Sequence, residues 1–205
     1  VAFGLAETYR VLRFDLPGHG FSPAATASFT MSELAEAVLE LVDSVGGGSF
    51  FYAGDSMGGG VGLELAAGHP DRVDALVVLS ATATFGGADG WQARAAQIRA
   101  SGTASVVAQS ATRWFAPDYL DRDPGPGAAA LDRLLEVDDE SYALCCEALA
   151  AFDFEAAAPT VRVPVLCVAG EFDVATPPDE VEALAKLIPG AGYAVIAGAG
   201  HLPVL

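Results

Sequence analysis

The chain has 205 residues, of which 52% are hydrophobic and 18% charged, and its formal net charge is −17. This length and composition describe a globular protein that can bury a sizeable core, and no apolar run is long and uninterrupted enough to span a membrane. Lys and Arg are few and scattered, so the charge balance argues against binding to nucleic acid or to an anionic membrane surface.

Short apolar runs alternate with helical patterns, which predicts a parallel sheet covered by helices on both faces. The predicted strands are Tyr9–Asp15, Ser49–Ala53, Ala75–Ser80, Val163–Ala169 and Tyr193–Ala197. Apolar spacing predicts a first helix at Thr30–Val45, ended by Gly46–Gly48, and a second that includes Val61–Gly68. A last helix is predicted within residues 176–190, with Thr176 as its N-cap, prolines in its first turn and Gly190 at its end.

Residues 82–160 interrupt this alternation. They contain the helical patterns "GWQARAAQIRASG" and "TASVVAQSATRWF" and further helix up to Ala151, but no apolar strand. The Pro/Gly segment Pro124–Gly127 is predicted to be a loop within this region. We therefore predict an α/β core formed by residues 1–81 and 161–205, with a helical cap at residues 82–160 inserted between two strands.

The three cysteines, Cys145, Cys146 and Cys167, form no obvious disulfide framework. Their number is odd, the first two are adjacent, and no C-x-x-C spacing occurs. A reduced, cytoplasmic protein with buried thiols is the simplest prediction. A zinc site would need more ligands at closer spacing, and the chain has only three histidines.

The segment Gly54–Gly58, "GDSMG", matches the pattern G-x-S-x-G between a predicted strand and a predicted helix. This context is typical of a nucleophilic serine on a sharp strand-to-helix turn. Small neighbours allow the turn to close, and the helix N-terminus favours negative charge. The backbone N–H of Met57 is therefore a candidate donor to a developing oxyanion. The alternative is an ordinary glycine-rich loop.

A serine nucleophile needs a base and an acid that orients the base. Of the histidines after Ser56, His69 lies at a helix end and suits C-terminal capping, whereas His201 follows the last predicted strand. His19 precedes the serine and is predicted to hold a turn. Asp173, which follows a predicted strand, is the preferred acid over three competitors, Glu171, Asp179 and Asp153.

With this Ser–Asp–His order, the chain resembles the α/β-hydrolase family over nearly its whole length. The resemblance rests on "RFDLPGHGFS", "GDSMGGGVGLELAAGHPDRVDALVVLSA", "GEFDVATPP" and "GAGH". Within that family the chain looks most like the 3-oxoadipate enol-lactonases of aromatic catabolism. The segments that support this narrower resemblance are "FTMSELAEAVLELVDSVG", the W-x-x-R pair Trp91 and Arg94, "RWFAPDYLDRDP" and "DDESYALCCEALAAFDF".

The resemblance implies that Ser56, Asp173 and His201 hydrolyse a small lactone or ester through an acyl-enzyme, without a metal or organic cofactor. The implied reaction converts 3-oxoadipate enol-lactone to 3-oxoadipate in the β-ketoadipate pathway, and fusion to or association with another enzyme of that pathway is a further expectation. Arg113 and Trp114 in the cap are candidates for binding the substrate carboxylate and the lactone ring. Alternatively, Arg113 forms a surface ion pair and Trp114 fills the core of the cap.

The chain departs from this subfamily in two respects. Asp55 stands beside the nucleophile, where an apolar or amide residue is expected, and we expect its side chain to point away from the pocket. The resemblance also places three strands and a helix before Tyr9 and another helix after His201. We therefore expect an internal piece of a longer polypeptide that lacks the loop carrying the second oxyanion donor, and expect the isolated piece to be inactive.

Two other functions are compatible with these motifs. The first is hydrolysis of another ester or of a peracid by the same three residues, and the second is non-catalytic binding of a small ligand beneath the cap. A dehalogenase is disfavoured, because it would carry Asp where Ser56 stands.

Overall fold

The computed structural model describes the backbone of residues 2–205 and the side chains of residues 4–205. Val1, the first residue of the predicted core segment 1–81, lies outside the described residues. In the described part of the chain, four parallel strands form one sheet in sequence order. They are Phe50–Asp55 (β1), Val73–Leu79 (β2), Val165–Gly170 (β3) and Gly192–Ile196 (β4).

Most of the remaining regular structure is α-helical, and none of the helices in residues 2–205 is long and apolar enough to cross a membrane. The α-helices are Ala2–Leu5 (α1), Met31–Ser44 (α2), Met57–Gly68 (α3), Ala88–Ser101 (α4), Val107–Trp114 (α5), Tyr119–Arg122 (α6), Pro124–Leu135 (α7), Asp139–Ala151 (α8) and Pro178–Leu187 (α9). Within residues 2–205, two short 3₁₀ helices occur at Thr103–Val106 and Ala158–Thr160.

Local sequence signals explain where helix α2 begins. The Thr30 hydroxyl accepts a hydrogen bond from the Glu33 N–H at 3.1 Å, and the Glu33 carboxylate accepts one from the Thr30 N–H at 2.8 Å. This reciprocal capping box satisfies two N–H groups of the first turn. Helix α2 packs on α3, and α3 packs on β1 and β2. The N-terminus of α3 is thereby held at the carboxyl end of the sheet, next to Ser56.

The two faces of the sheet differ in burial. On the side of α3 and α9, side chains such as Tyr52 and Leu76 are buried in the main core. The alternate residues of the same strands are also apolar, but many of them are accessible to solvent. Phe51, for example, is 64% exposed. We call this second surface the open face and define it by Phe51, Ala53, Val77, Leu166 and Ile196.

Helices α4 to α8 lie between β2 and β3 in the chain. Helix α4 packs along α8, and together they enclose a separate apolar cluster whose buried members are Ala95, Ile98, Val106, Leu134, Ala143 and Cys146. An antiparallel bridge between Thr84 and Asp153 joins the two ends of this segment. The segment therefore has a small core of its own while both of its ends stay close to the sheet.

The prediction of a strand at Tyr9–Asp15 is wrong. Residues 10–16 have no regular secondary structure, and most of their side chains are exposed. The ring of Tyr9 contacts Phe51 edge to face, with 5.8 Å between ring centroids. Because strand hydrogen bonds need a neighbouring strand, an apolar run cannot become a strand where the described residues supply no partner for it.

Two local predictions are also wrong. Pro124–Gly127 forms the first turn of α7 instead of a loop, because first-turn N–H groups have no acceptor within the helix and proline loses no bond there. Thr176 is not the N-cap of α9, since Pro177 occupies that position. The Thr176 hydroxyl donates to Asp173 instead, at 2.6 Å.

Candidate active site

Ser56 stands on a strained turn between β1 and α3. Its φ of 52° and ψ of −117° lie outside the regions that non-glycine residues normally occupy. Its N–H donates to the Leu79 carbonyl at 2.8 Å, which anchors the turn to β2. Gly54 is required sterically, because a Cβ there would collide with the Gly58 carbonyl, whereas a Cβ at Gly58 would meet no atom within 4 Å.

The structure brings Ser56, His201 and Asp173 together. His201 Nε2 lies 3.0 Å from Ser56 Oγ, and His201 Nδ1 lies 2.9 Å from Asp173 Oδ2. Because an ionised carboxylate only accepts hydrogen bonds, Nδ1 carries the imidazole proton and Nε2 is free to accept the serine proton. This is the arrangement that general-base activation of a serine requires.

Asp173 is held as an anion by converging donors. Its Oδ1 accepts from the N–H groups of Ala175 and Thr176, at 2.8 and 3.0 Å, and its Oδ2 accepts from the Thr176 hydroxyl and His201. Burial opposes ionisation, but the hydrogen bonds from His201 and Thr176 outweigh it and lower the pKa of Asp173. Thr176, which sequence reasoning treated as a helix cap, therefore supports the candidate acid.

The competing candidates have other contacts. Glu171 accepts from the Gly198 N–H at 2.8 Å, and Asp153 accepts from the Glu155 N–H at 3.0 Å. His69 is the C-cap residue of α3, and its ring contacts Glu36 at 2.7 Å. Asp179 lies in the first turn of α9, and His19 Nδ1 contacts the Pro17 carbonyl at 3.0 Å.

Met57 is the first residue of α3, so its backbone N–H has no acceptor within the helix. It borders the cavity above Ser56, which has a volume of about 260 Å³. The helix dipole adds partial positive charge at this point. The Met57 N–H thus lies where negative charge would develop on a substrate attacked by Ser56.

The cap forms the roof of this cavity. Arg113 and Trp114, at the end of α5, both border it, as do Tyr142 and Cys145 of α8. The Trp114 carbonyl accepts from the Leu202 N–H at 3.2 Å, which ties the cap to the loop that carries His201. The position of the cap is therefore coupled to that of His201, the candidate base.

Sequence reasoning did not identify Arg94 as a site residue, although its W-x-x-R spacing places it on the same helix face as Trp91. The guanidinium borders the cavity and donates to Gln109 at 2.7 Å, Ser110 at 2.8 Å and Tyr142 at 3.1 Å. Its Nε is buried without a hydrogen-bond partner among the described residues. Within residues 4–205, neither Arg94 nor Arg113 forms an ion pair with an acidic side chain.

The sequence predicts that the Asp55 side chain points away from the pocket, but the structure shows a closer relation to the site. It lies among the residues that border the cavity, and its Oδ1 is buried without a partner in the described structure. Burial raises the pKa of this carboxyl to about 7. The side chain is therefore close enough to the candidate catalytic residues to influence them.

A second, larger groove of about 670 Å³ lies on the other side of the loop that carries Asp173. Its walls include four acidic residues, Asp118, Asp121, Glu171 and Asp173, and neither Ser56 nor His201 borders it. An anionic substrate would be repelled there, and no candidate nucleophile faces it. The smaller cavity above Ser56 is the better candidate site.

Comparison with known proteins defines the class to which this chain belongs. A family model described as the alpha/beta hydrolase fold matches residues 1–205, so the chain is a member of the α/β-hydrolase family. This confirms the predicted family and fold class, a mostly parallel sheet with flanking helices.

Two curated relatives and one solved structure narrow the resemblance. 3-Oxoadipate enol-lactonase 2 of Acinetobacter baylyi is 34% identical over 170 residues, which are 83% of this chain and 64% of that protein. RutD of Stutzerimonas stutzeri, named as a carbamate hydrolase, is 30% identical over 211 residues. The matched region is 96% of this chain and 76% of that protein. The enol-lactonase crystal structure from Burkholderia xenovorans has a TM-score of 0.94 at 36% identity, covering 97% of this chain and 76% of that chain.

Proposed function

We propose that the intact protein is a serine hydrolase that opens a carboxylate-bearing enol-lactone, converting 3-oxoadipate enol-lactone to 3-oxoadipate in aromatic catabolism. The observation that carries this proposal is the pair of cap arginines, Arg94 and Arg113, above Ser56. Cationic groups without an acidic partner in the described residues suit an anionic ligand, and they are unexpected in a chain of net charge −17. The names of the enol-lactonase relatives support the same substrate class.

The reaction begins with acylation of Ser56. Its Oγ attacks the lactone carbonyl carbon while its proton moves to His201 Nε2, across the 3.0 Å contact. Asp173 holds the imidazole and stabilises the imidazolium that forms. The Met57 N–H donates to the oxyanion, and a second donor is expected from residues outside this chain.

Collapse of the tetrahedral intermediate breaks the ring C–O bond. The ring oxygen leaves as an enolate and takes the proton held by His201 to give the enol, which then tautomerises to the ketone. A water molecule then attacks the acyl carbon and gives its proton to His201, which passes it to the departing Ser56 oxygen. The products are the free acid and unmodified enzyme, and these steps require no further cofactor.

Arg113 and Trp114 remain our candidates for binding the carboxylate and the lactone ring, and Arg94 joins them. A guanidinium matches a carboxylate through two parallel hydrogen bonds, and an adjacent indole can pack against the ring. Of the two arginines, Arg94 is the more firmly positioned, because three side chains of the cap accept its hydrogen bonds. Arg113 has no such bonds among the described residues and is freer to move towards a ligand.

The test compares a charged with an uncharged substrate in the intact protein. Arg113→Ala and Arg94→Ala should each raise KM for the carboxylated lactone about tenfold or more, because each removes a charge-assisted hydrogen bond of ~1.5–3 kcal/mol. Hydrolysis of an uncharged aryl ester should change little, and Arg94→Lys should lose less than Arg94→Ala. Arg133→Ala, an exposed arginine of α7 paired with Glu136, is the matched control.

Equal losses on the lactone and the uncharged ester would indicate a structural role and contradict carboxylate binding by that arginine. If the wild-type protein hydrolyses esters but does not open the lactone, the substrate proposal itself is wrong.

Hydrolysis of a different substrate is the second candidate. The similarity to RutD extends over 96% of this chain, so a carbamate is a reasonable rival, together with other esters and peracids. A panel of lactone, ester, peracid and carbamate substrates separates these, with the largest kcat/KM identifying the class. Labelling of Ser56 by a serine-directed phosphonate would argue against the third possibility, a non-catalytic binding protein.

We also propose a cytoplasmic location, supported by three cysteines that are all buried free thiols. Fusion to, or association with, another enzyme of the pathway stays a prediction, which the molecular mass of the native complex would test.

A further inference from the structure

Asp55 and Ser80 form a second polar pair beside the three candidate catalytic residues. The strand register aligns Asp55 with Leu79, which places its carboxyl next to Ser80. Oδ1 of Asp55 and Oγ of Ser80 are both buried, and both lack a hydrogen-bond partner in the described residues. Buried polar atoms are normally paired, and here the Ser80 hydroxyl lies close enough to favour the Asp55 carboxylate without forming a hydrogen bond of normal geometry.

Ser80 adds backbone strain to this pair. It is completely buried, and its φ of 47° lies in the left-handed region that non-glycine residues rarely occupy. Its N–H donates to the Val168 carbonyl at 2.8 Å, which joins it to β3. Strain of this kind persists only where the surrounding structure enforces it, and it is concentrated at functional sites.

The charges that act on Asp55 belong to the candidate catalytic residues. Burial raises the pKa of Asp55, positive charge on His201 lowers it, the Asp173 carboxylate raises it, and the Ser80 hydroxyl lowers it. Charge interactions are mutual, so an ionised Asp55 also stabilises positive charge that develops on His201 during the reaction. The same cavity is bordered by further groups of the cap and of the loop before α2, namely Arg94, Arg113, Tyr142, Cys145, Cys146 and His19.

We propose that Asp55 is a positioning residue that acts through His201, stabilising as a carboxylate the imidazolium that forms when Ser56 attacks. The inference rests on the proposed serine hydrolase chemistry but not on the identity of the lactone. In the step concerned, the Ser56 oxygen forms a bond to the acyl carbon and its proton moves to His201 Nε2. Asp55 and Asp173 stay ionised, and Ser80 turns its hydroxyl towards the Asp55 carboxylate.

This role makes the contribution of Asp55 depend on pH. At low pH the carboxyl is neutral and resembles the amide of asparagine, so it offers His201 little stabilisation. At high pH it carries a charge that an amide cannot replace. The ratio of the wild-type rate to the Asp55→Asn rate should therefore rise with pH.

The experiment measures kcat/KM for an uncharged aryl ester from pH 5.5 to pH 9 in the intact protein. The wild-type value should exceed the Asp55→Asn value by about tenfold at pH 9, the rate equivalent of one pKa unit of stabilisation, and by less than about twofold at pH 5.5. The ratio should change with a midpoint near pH 7. Thermal melts at each pH verify that both proteins are folded.

Ser80→Ala is the second variant, because it removes the hydroxyl that favours the carboxylate. With Ala at position 80, the pH at which the ratio changes should move upwards. A ratio that is constant across the pH range would show that Asp55 is only structural and would overturn the inference. A wild-type protein that hydrolyses no ester at any pH would instead contradict the proposed serine hydrolase function.

Discussion

The two faces of the four-stranded sheet differ although the same strands form both. On the side of α3 and α9, Tyr52 and Leu76 are at most 8% exposed, whereas Phe51 on the open face is 64% exposed and Leu166 is 39% exposed. Both faces carry apolar side chains, as strands buried on two sides normally do. The composition of the strands therefore requires a cover on the open face that residues 4–205 do not supply.

The geometry of the candidate active site and the stability of the sheet therefore depend on different parts of the molecule. Ser56, Asp173 and His201 lie on loops at the carboxyl ends of the strands, and their supports come from α3, the cap and neighbouring loops. The hydrogen bonds that join these three residues therefore form without a cover on the open face. The stability of the sheet, in contrast, depends on the apolar area that the open face would bury.

The largest effect on activity should come from substitutions that remove a candidate catalytic residue and leave both faces of the sheet unchanged. In the intact protein, Ser56→Ala and His201→Ala should each lower kcat by roughly four to six orders of magnitude, because members of such a unit act together. The double variant should be little worse than either single variant, for the same reason. Steady-state kinetics on the lactone and on an aryl ester measure this.

The thermal unfolding of these variants serves as the control and should stay close to that of the wild type. A Ser56→Ala protein that keeps more than a tenth of the wild-type rate would contradict the assignment of the nucleophile.

The second effect concerns the open face alone. Expressed as residues 1–205, the chain should be inactive, should unfold without a sharp transition and should bind a hydrophobic dye. Exposed apolar area and the unpaired edge of β1 both favour association with other chains. Calorimetry, dye fluorescence and an activity assay test this, and a cooperative transition together with lactonase activity would contradict it.

Phe51→Ser tests the role of the open face directly, because its effect should differ between the isolated chain and the intact protein. In the isolated chain it should reduce dye binding and cost little stability, since Phe51 already contacts solvent. In the intact protein it should lower the free energy of unfolding by about 3 kcal/mol or more, as expected for a buried aromatic residue. Phe21→Ser, at a fully exposed position, is the matched control and should be neutral in both.

The last of these effects concerns Asp55, which lies on the same side of β1 as Phe51 and Ala53. Burial raises its pKa from the ordinary value of 3.8 to about 7, so the folded protein binds this proton more tightly than the unfolded chain. The free energy of unfolding therefore falls as the pH rises from about 4 to about 7. Asp55→Asn removes this loss and should stabilise the intact protein by about 2–4 kcal/mol at pH 8, and by less at pH 5.

Urea unfolding at both pH values measures this effect, with Asp74→Asn, at an exposed position near the start of β2, as the control for removing one carboxyl. Equal stabilisation at pH 5 and pH 8 would contradict a buried, titrating Asp55. The expected outcome combines a gain in stability with the loss in rate proposed above, a trade-off that is common at functional sites.

Most regular elements could be predicted because their signals are local. The apolar spacing and the Thr30 cap define α2, and the short apolar runs define β1 to β4 to within a few residues. The run at Tyr9–Asp15 has the same pattern but is not a strand. Whether an apolar run pairs depends on a neighbouring strand, which is not local information.

The sequence by itself determined the serine turn, the order of the candidate nucleophile, acid and base, and the alternation of strands and helices. These features depend on residue type and spacing along the chain. Only the tertiary structure decided that Thr176 supports Asp173 instead of capping α9, that Arg94 reaches the cavity from the cap, and that Asp55 adjoins Ser80 and His201. These contacts join residues on separate elements, so side-chain packing and burial, which sequence spacing does not encode, determine them.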